Sequence, residues 1–178
     1  MRYPLKPFAQ ISLLLLASLA AGCSLFPSKP APPAPVATVP TYDMVAAIRA
    51  AGAGEKSVID VTPLSDPAVT ELQVAARHDE LAGQYGAAAH TLDQALKLAP
   101  DSPDLLQDRA EVAVRLKDFG DAEKLAHQSW SLGPKLGPLC ARNWQTIVEV
   151  RLRAGDRAGA ESARRWVLQC HKAGISRY

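Results

Sequence analysis

Residues 85–100 read YGAAAHTLDQALKLAP and residues 119–134 read FGDAEKLAHQSWSLGP, so the two segments align without a gap at a spacing of 34 residues. Each has an aromatic residue at its start, an alanine three positions later and a proline at its end. A fixed period of this length is typical of chains that stack copies of one supersecondary unit. Such stacks expose an extended surface to partners and do not need a closed catalytic pocket.

Helix start and stop signals divide residues 67–174 into three units. Each unit starts with proline in a first helical turn, where its missing N–H costs no hydrogen bond; the starts are Asp66-Pro67, Ser102-Pro103 and Gly137-Pro138. Each unit is interrupted in its middle, at Gly83, Asp118 and Gly155-Asp156. The predicted helices span residues 67–82, 86–98, 103–117, 119–131, 139–154 and 157–172. We therefore expect an all-α fold, a short α-solenoid of about three helical hairpins.

The three units resemble tetratricopeptide repeats (TPRs), with copies at about 69–102, 103–136 and 141–174. In the first copy the family positions fall on Ala76, Gly83, Tyr85, Ala88, Ala95 and Pro100. In the second copy they fall on Ala110, Phe119, Ala122 and Pro134. The third copy matches through Trp144, Gly155-Asp156, Ala160 and Val167 if residues 137–140 are an insertion. The resemblance implies a protein-binding solenoid that needs no cofactor.

Small and large apolar residues have different expected places in such a stack. Ala88 and Ala122 would let paired helices approach closely. Larger side chains would fill the space between neighbouring units; among them are Leu96, Leu98, Leu116 and Ile147.

The first 22 residues have the form of a secretory signal peptide. Arg2 and Lys6 precede an apolar run over residues 11–21. That run is too short to cross a bilayer, which takes about 20 apolar residues. Residues 19–23, LAAGC, resemble the lipobox of bacterial lipoproteins. The resemblance implies cleavage before Cys23, acylation of that cysteine and a lipid anchor in the membrane.

The residues after the lipobox predict a tether and a short helix. With Ser24 after the cysteine, the resemblance to bacterial lipoproteins implies the outer membrane, with the rest of the chain facing the periplasm. Residues 23–40 hold six prolines, which favour an extended polyproline II tether; alternatively these prolines are a ligand for another domain. Residues 41–66 predict a short helix capped by Thr41, followed by an extended linker. The helix would carry Met44, Val45, Ile48 and Ala51 on one side.

The charge balance and the motifs argue against two classes of function. Without Arg2 and Lys6, 18 basic residues balance 18 acidic residues. Binding of nucleic acid needs several cations that neutralise phosphates, so we expect that this chain does not bind nucleic acid. The sequence has no phosphate-binding glycine loop, no serine nucleophile elbow and no zinc-protease spacing of histidines. We therefore expect that the chain is not an enzyme and has neither a catalytic residue nor a cofactor.

Cys140 and Cys170 are expected at neighbouring ends of the two antiparallel helices of the last hairpin. That placement brings their Cα atoms near the separation that a disulfide needs. A secreted chain favours the bond. The alternatives are two free thiols, or a metal site completed by His171, although the chain offers no second close-spaced ligand pair.

The candidate partner-binding surface is the concave face lined by the first helix of each hairpin. In register, this face carries Gln73, Arg77, Gln107, Glu111, Arg115, Gln145, Glu149 and Arg153. Mixed charges and amides around aliphatic spots suit an extended peptide or a partner helix. Trp130, Trp144 and Trp166 are expected to pack in the interior, but an exposed Trp166 would favour an interface.

These features predict a lipid-anchored periplasmic adaptor or assembly factor that binds other cell-envelope proteins. One alternative is a pilotin-like factor for assembling an outer-membrane secretin or a type IV pilus. Another is a structural subunit that packs into an envelope complex through the ends of its solenoid.

Overall fold

A computed structural model describes residues 42–53 and 66–171 of the chain. The predicted signal peptide (residues 1–22), Cys23 and the proline-rich tether to residue 40 lie outside these described residues. So do the predicted linker from residue 54 to residue 65 and the last residues of the third repeat, 172–174.

Over the described ranges the chain forms seven helices and no strand. They are α1 (Met44–Ala53), α2 (Pro67–Leu81), α3 (Tyr85–Leu98), α4 (Pro103–Leu116), α5 (Phe119–Leu132), α6 (Pro138–Arg153) and α7 (Arg157–Cys170). The last six form three consecutive hairpins, which confirms the predicted all-α solenoid. We call α2, α4 and α6 the inner helices, and α3, α5 and α7 the outer helices.

Helix caps, prolines and left-handed turn residues determine where the hairpins begin and turn. Asp66 caps α2 by accepting a hydrogen bond from the Ala68 N–H at 2.8 Å, and proline follows at the first helical position. The inner helix reverses into the outer helix through a left-handed residue, which is Gly83 in the first hairpin and Gly155 in the third. Lys117 takes this role in the second hairpin with φ of 64°, a conformation that costs a non-glycine residue about 1 kcal/mol.

Each hairpin packs on the next through its outer helix, in the contacts α3–α4 and α5–α6. Ala88 and Ala122 have no exposed surface, as expected for residues at close helix crossings. Ile147 is buried as predicted. The same prediction was wrong for Leu98 and Leu116, which are 57% and 44% exposed because each is the last residue of its helix, where the chain turns away.

Helix α1 lies against the inner helices, mainly on α6 and to a smaller extent on α4. Val45 and Ile48 are 1% and 0% exposed in this contact. A Cβ atom at Gly52 would come within 3.0 Å of both the Arg142 side chain and the Pro138 carbonyl oxygen. Glycine therefore permits the close approach of α1 to α6.

The start of α1 differs from the prediction by two residues. Asp43 caps the helix, because its carboxylate accepts a hydrogen bond from the Ala46 N–H at 3.0 Å. Thr41, the predicted cap, lies outside the described residues.

Candidate partner-binding groove

The eight residues predicted for the concave face all lie on inner helices. Gln73 and Arg77 lie on α2, and the other six lie on α4 and α6. Helix α1 covers the α4 and α6 part of this surface, whereas the α2 part stays open. We call these two parts the covered seat and the open face.

Glu111 is the centre of the covered seat and has no exposed surface. Its carboxylate accepts hydrogen bonds from Arg49 Nε of α1 at 2.7 Å and from Arg142 Nε of α6 at 2.8 Å. Gln107, one helical turn earlier and also fully buried, donates to it at 3.0 Å. Two guanidinium groups and an amide thus compensate the burial of this charge.

Arg49 joins α1 to two inner helices at once. Its guanidinium donates to Glu111 on α4 and to both carboxylate oxygens of Glu80 on α2, the latter at 2.8 Å. Partial burial disfavours the charged form, but the two carboxylates outweigh it and raise the pKa of Arg49 above its usual value.

Two further polar contacts hold the N-terminal end of α1. Asp43 pairs with Arg115 at 2.9 Å. The Tyr42 hydroxyl donates to Glu149 Oε1 at 2.7 Å, and Gln145 donates to the same oxygen at 2.7 Å. Partial burial and the hydrogen bond to Glu149 together raise the pKa of Tyr42 to about 12.

The structure therefore changes what three of the eight residues can do. Gln107, Glu111 and Glu149 are buried, so in this arrangement they are not accessible to a partner. The physical reason is that the apolar side of α1 needs a surface to cover it, and the sequence does not say which surface this is. Arg77 and Arg153 remain exposed.

The open face keeps its accessibility and is largely apolar. A cleft of about 400 Å³ lies on α2, lined by Thr70, Gln73, Val74, Arg77, His78 and Leu81. Val74 and Leu81 are 65% and 83% exposed, an unusual fraction for large aliphatic side chains on a packed helix. The predicted residues Gln73 and Arg77 lie between these apolar groups.

A second accessible apolar region lies at the last hairpin. Trp144 and Trp166 stack with ring centres 5.1 Å apart and planes 9° apart, and Trp130 meets both rings edge-on. Trp144 is buried, but Trp166 is 39% exposed. Leu136, Trp166 and their neighbours line a cavity of about 300 Å³. The cluster packs the last hairpin on α5 of the second, and its exposed edge has the composition of an interface.

The structure joins Cys140 and Cys170, with their Cα atoms 5.7 Å apart. The Gly137 N–H also donates to the Cys170 carbonyl at 3.0 Å, so the start of α6 and the end of α7 are linked twice.

The part of the chain that the structure describes has neither a metal-ion site nor a membrane-spanning helix. In these ranges no three side chains of histidine, cysteine, aspartate or glutamate are grouped so that they could hold a metal ion. None of the seven helices has the length and apolar character needed to cross a membrane.

The comparisons with known proteins agree with this architecture. A tetratricopeptide-repeat family model matches residues 81–136. The solved structure of the globular C-terminal domain of P. aeruginosa LpoP is similar, with 30% sequence identity and a TM-score of 0.56. The match covers 58% of this chain and 98% of that domain. The chain belongs to the tetratricopeptide-repeat family. No curated protein matches its sequence.

Membership in the TPR family indicates a general role for the surface formed by the inner helices. TPR domains act as protein-interaction modules, because stacked hairpins present a long surface instead of an enclosed site. The fold and the likeness to the LpoP domain thus indicate a protein-binding adaptor.

Proposed function

We propose that the chain is a lipid-anchored periplasmic adaptor or assembly factor that binds other cell-envelope proteins through its TPR domain. The lipobox-like LAAGC at residues 19–23 supports an anchor on Cys23, and Ser24 supports the outer membrane. Several acyl chains would keep the protein at that membrane stably, which a single chain does not.

The observation that carries the proposal is the open face on α2. Val74 and Leu81 are exposed on either side of Arg77, which is itself exposed. An extended peptide or a helix that offers aliphatic side chains and one carboxylate would complement this surface.

Crosslinking in cells, followed by mass spectrometry of the trapped protein, tests the proposal. We expect Arg77→Glu to reduce recovery of the partner at least tenfold, because it reverses the charge at the centre of the open face. Lys124→Glu is the matched control: it makes the same charge change at an exposed position of the outer helix α5. Equal recovery from both variants, or no trapped envelope protein at all, would contradict the proposal.

Cys23→Ser tests the anchor separately. We expect this variant to incorporate no labelled palmitate, whereas the unchanged chain does. Incorporation that persists in the variant would exclude Cys23 as the acylated residue.

The exposed edge of the tryptophan cluster favours a second candidate, a structural subunit that docks through its last hairpin. In that case Trp166→Ala would abolish assembly while Arg77→Glu would not. Leu168→Ala is the control, because Leu168 is a large apolar residue on the same helix and is 72% exposed.

A further inference from the structure

The covered seat holds a helix that belongs to the chain itself. From this arrangement we infer that the seat is a second, helix-binding site, which a partner helix occupies by displacing α1. The partner helix would carry two aliphatic residues three positions apart, with arginine directly after the second, as in Val45, Ile48 and Arg49. The inference rests on the proposed adaptor role and adds the kind of partner that the covered seat would bind.

The groups that build the seat lie on α4 and α6 and are also bonded to one another. Arg142 bridges Asp108 at 2.9 Å and Glu111 at 2.7 Å. Gln107 donates to Glu111 and also to the Thr146 hydroxyl, at 3.0 Å in both cases. When α1 leaves, the buried carboxylate therefore keeps an arginine and an amide, and the shape of the seat is preserved for another helix.

The seat recognises three features of its occupant. Val45 and Ile48 are buried against the inner helices, so they supply the apolar contact. The Arg49 guanidinium lies between Glu80 and Glu111, within 2.8 Å of both carboxylates. Two carboxylates on different helices fix one cation at one position, which selects the register of an arginine-bearing helix.

Helix α1 is suited to exchange because it is short and its own side of each ion pair is partly exposed to water. It is 10 residues long, which is too short to be stable as an isolated helix, and only Val45, Ile48 and Gly52 are buried. Its ion pairs are partly exposed, with 46% of the Arg49 side chain and 42% of the Asp43 side chain accessible. Because α1 is not part of any of the three hairpins, its release does not require a hairpin to unfold.

The attachment also sets how strongly α1 competes. A covalently tethered segment acts at an effective concentration in the millimolar range, so a free helix binds well only when α1 is weakened. This predicts that weakening α1 increases the affinity of the seat for an added helix.

A labelled synthetic peptide of residues 42–53, added to the purified full chain, tests the inference by fluorescence anisotropy. We expect the peptide to bind the Ile48→Asp chain at least tenfold more tightly than the unchanged chain. Ala50→Asp is the matched control, because it adds the same charge to an exposed position of α1 and leaves the buried face intact. A peptide carrying Arg49→Glu should bind none of the three chains.

Hydrogen exchange on the unchanged chain gives a readout that does not depend on a variant folding. Millimolar peptide should increase exchange over residues 44–53 and leave residues 103–116 protected. Equal peptide affinity for the unchanged and Ile48→Asp chains would overturn the inference, and so would unaltered exchange of residues 44–53. Both assays use only this chain and its peptide, so their failure is distinct from failure to trap an envelope partner.

Discussion

The covered seat and the open face come from equivalent inner helices, yet they differ in how polar residues are used. Glu111 on α4 is fully buried and bound by two arginines, whereas Arg77 on α2 is exposed. The difference arises from α1, which reaches α4 and α6 with its apolar side and touches α2 through Arg49. In this domain, a position in the repeat decides which surface a side chain is on, but the added helix decides whether that surface is free.

The largest expected effect is that of Glu111→Ala. It leaves Arg142 with less compensation in a buried site, so we expect a loss of about 3–5 kcal/mol in the free energy of unfolding. Urea denaturation measures it. Arg77→Ala on the open face should change this free energy by no more than about 0.5 kcal/mol. If the two variants have similar stability, the distinction between the two surfaces has no energetic basis.

The next largest effect is expected from removing the disulfide bond, which crosslinks the last hairpin and has no counterpart in the first. The bond between Cys140 and Cys170 spans 30 residues, so replacing both cysteines by serine should cost about 3–4 kcal/mol in the chain-entropy model. Denaturation without reductant measures this cost. Before reduction, a thiol reagent should label neither Cys140 nor Cys170, and labelling of both would show that the bond is absent.

Ile48→Ala should have a smaller and more local effect. Removing a buried aliphatic side chain costs about 2 kcal/mol at the low end of the usual range, because α1 is free to adjust. We expect hydrogen exchange to show this cost as a loss of protection over residues 44–53, while protection of the three hairpins stays unchanged. Val74→Ala, on the open face, is the matched control and should leave protection throughout the domain as it was.

The smallest effect is expected from acid. Partial burial of Asp43 acts to raise its pKa, but the Ala46 N–H and Arg115 outweigh it, so the pKa lies below its usual value. The carboxylate therefore favours docked α1 above about pH 4, and this contribution is lost as the pH falls from there through the lowered pKa.

The measurement for this effect is the protection factor of residues 44–53, which corrects for the intrinsic pH dependence of exchange. We expect a few-fold decrease in protection below about pH 4. Asp43→Asn should remove most of that decrease, and an identical acid response in both chains would show that Asp43 is not the group involved.

Most of the hairpin architecture was predictable because it depends on local signals. The 34-residue period, the helix-initiating prolines and the turn residues gave six helices whose ends agree with the structure within two residues. The assignment of Gln107 and Glu111 to an inner helix followed from the same register.

The covered seat was not predictable, because its formation depends on contacts between distant parts of the chain. A ten-residue helix shows which of its sides is apolar, but its sequence does not identify the surface that covers it. A carboxylate such as Glu111 is ordinarily read as exposed, and only the approach of Arg49 and Arg142 makes its burial possible. The apolar side formed by Met44, Val45, Ile48 and Ala51 was the signal in the sequence that α1 packs on another surface.

The position of the three tryptophans determines what optical methods can detect in this protein. Trp130, Trp144 and Trp166 all belong to the second and third hairpins, and the chain has no other tryptophan. Indole emission would thus report on the C-terminal half of the domain, including the contact of α1 with the Trp144-bearing helix α6, and not on melting of the first hairpin. Because the rings of Trp144 and Trp166 are in contact, with their centres 5.1 Å apart, they should also give an exciton couplet in circular dichroism, which makes that half separately visible during unfolding.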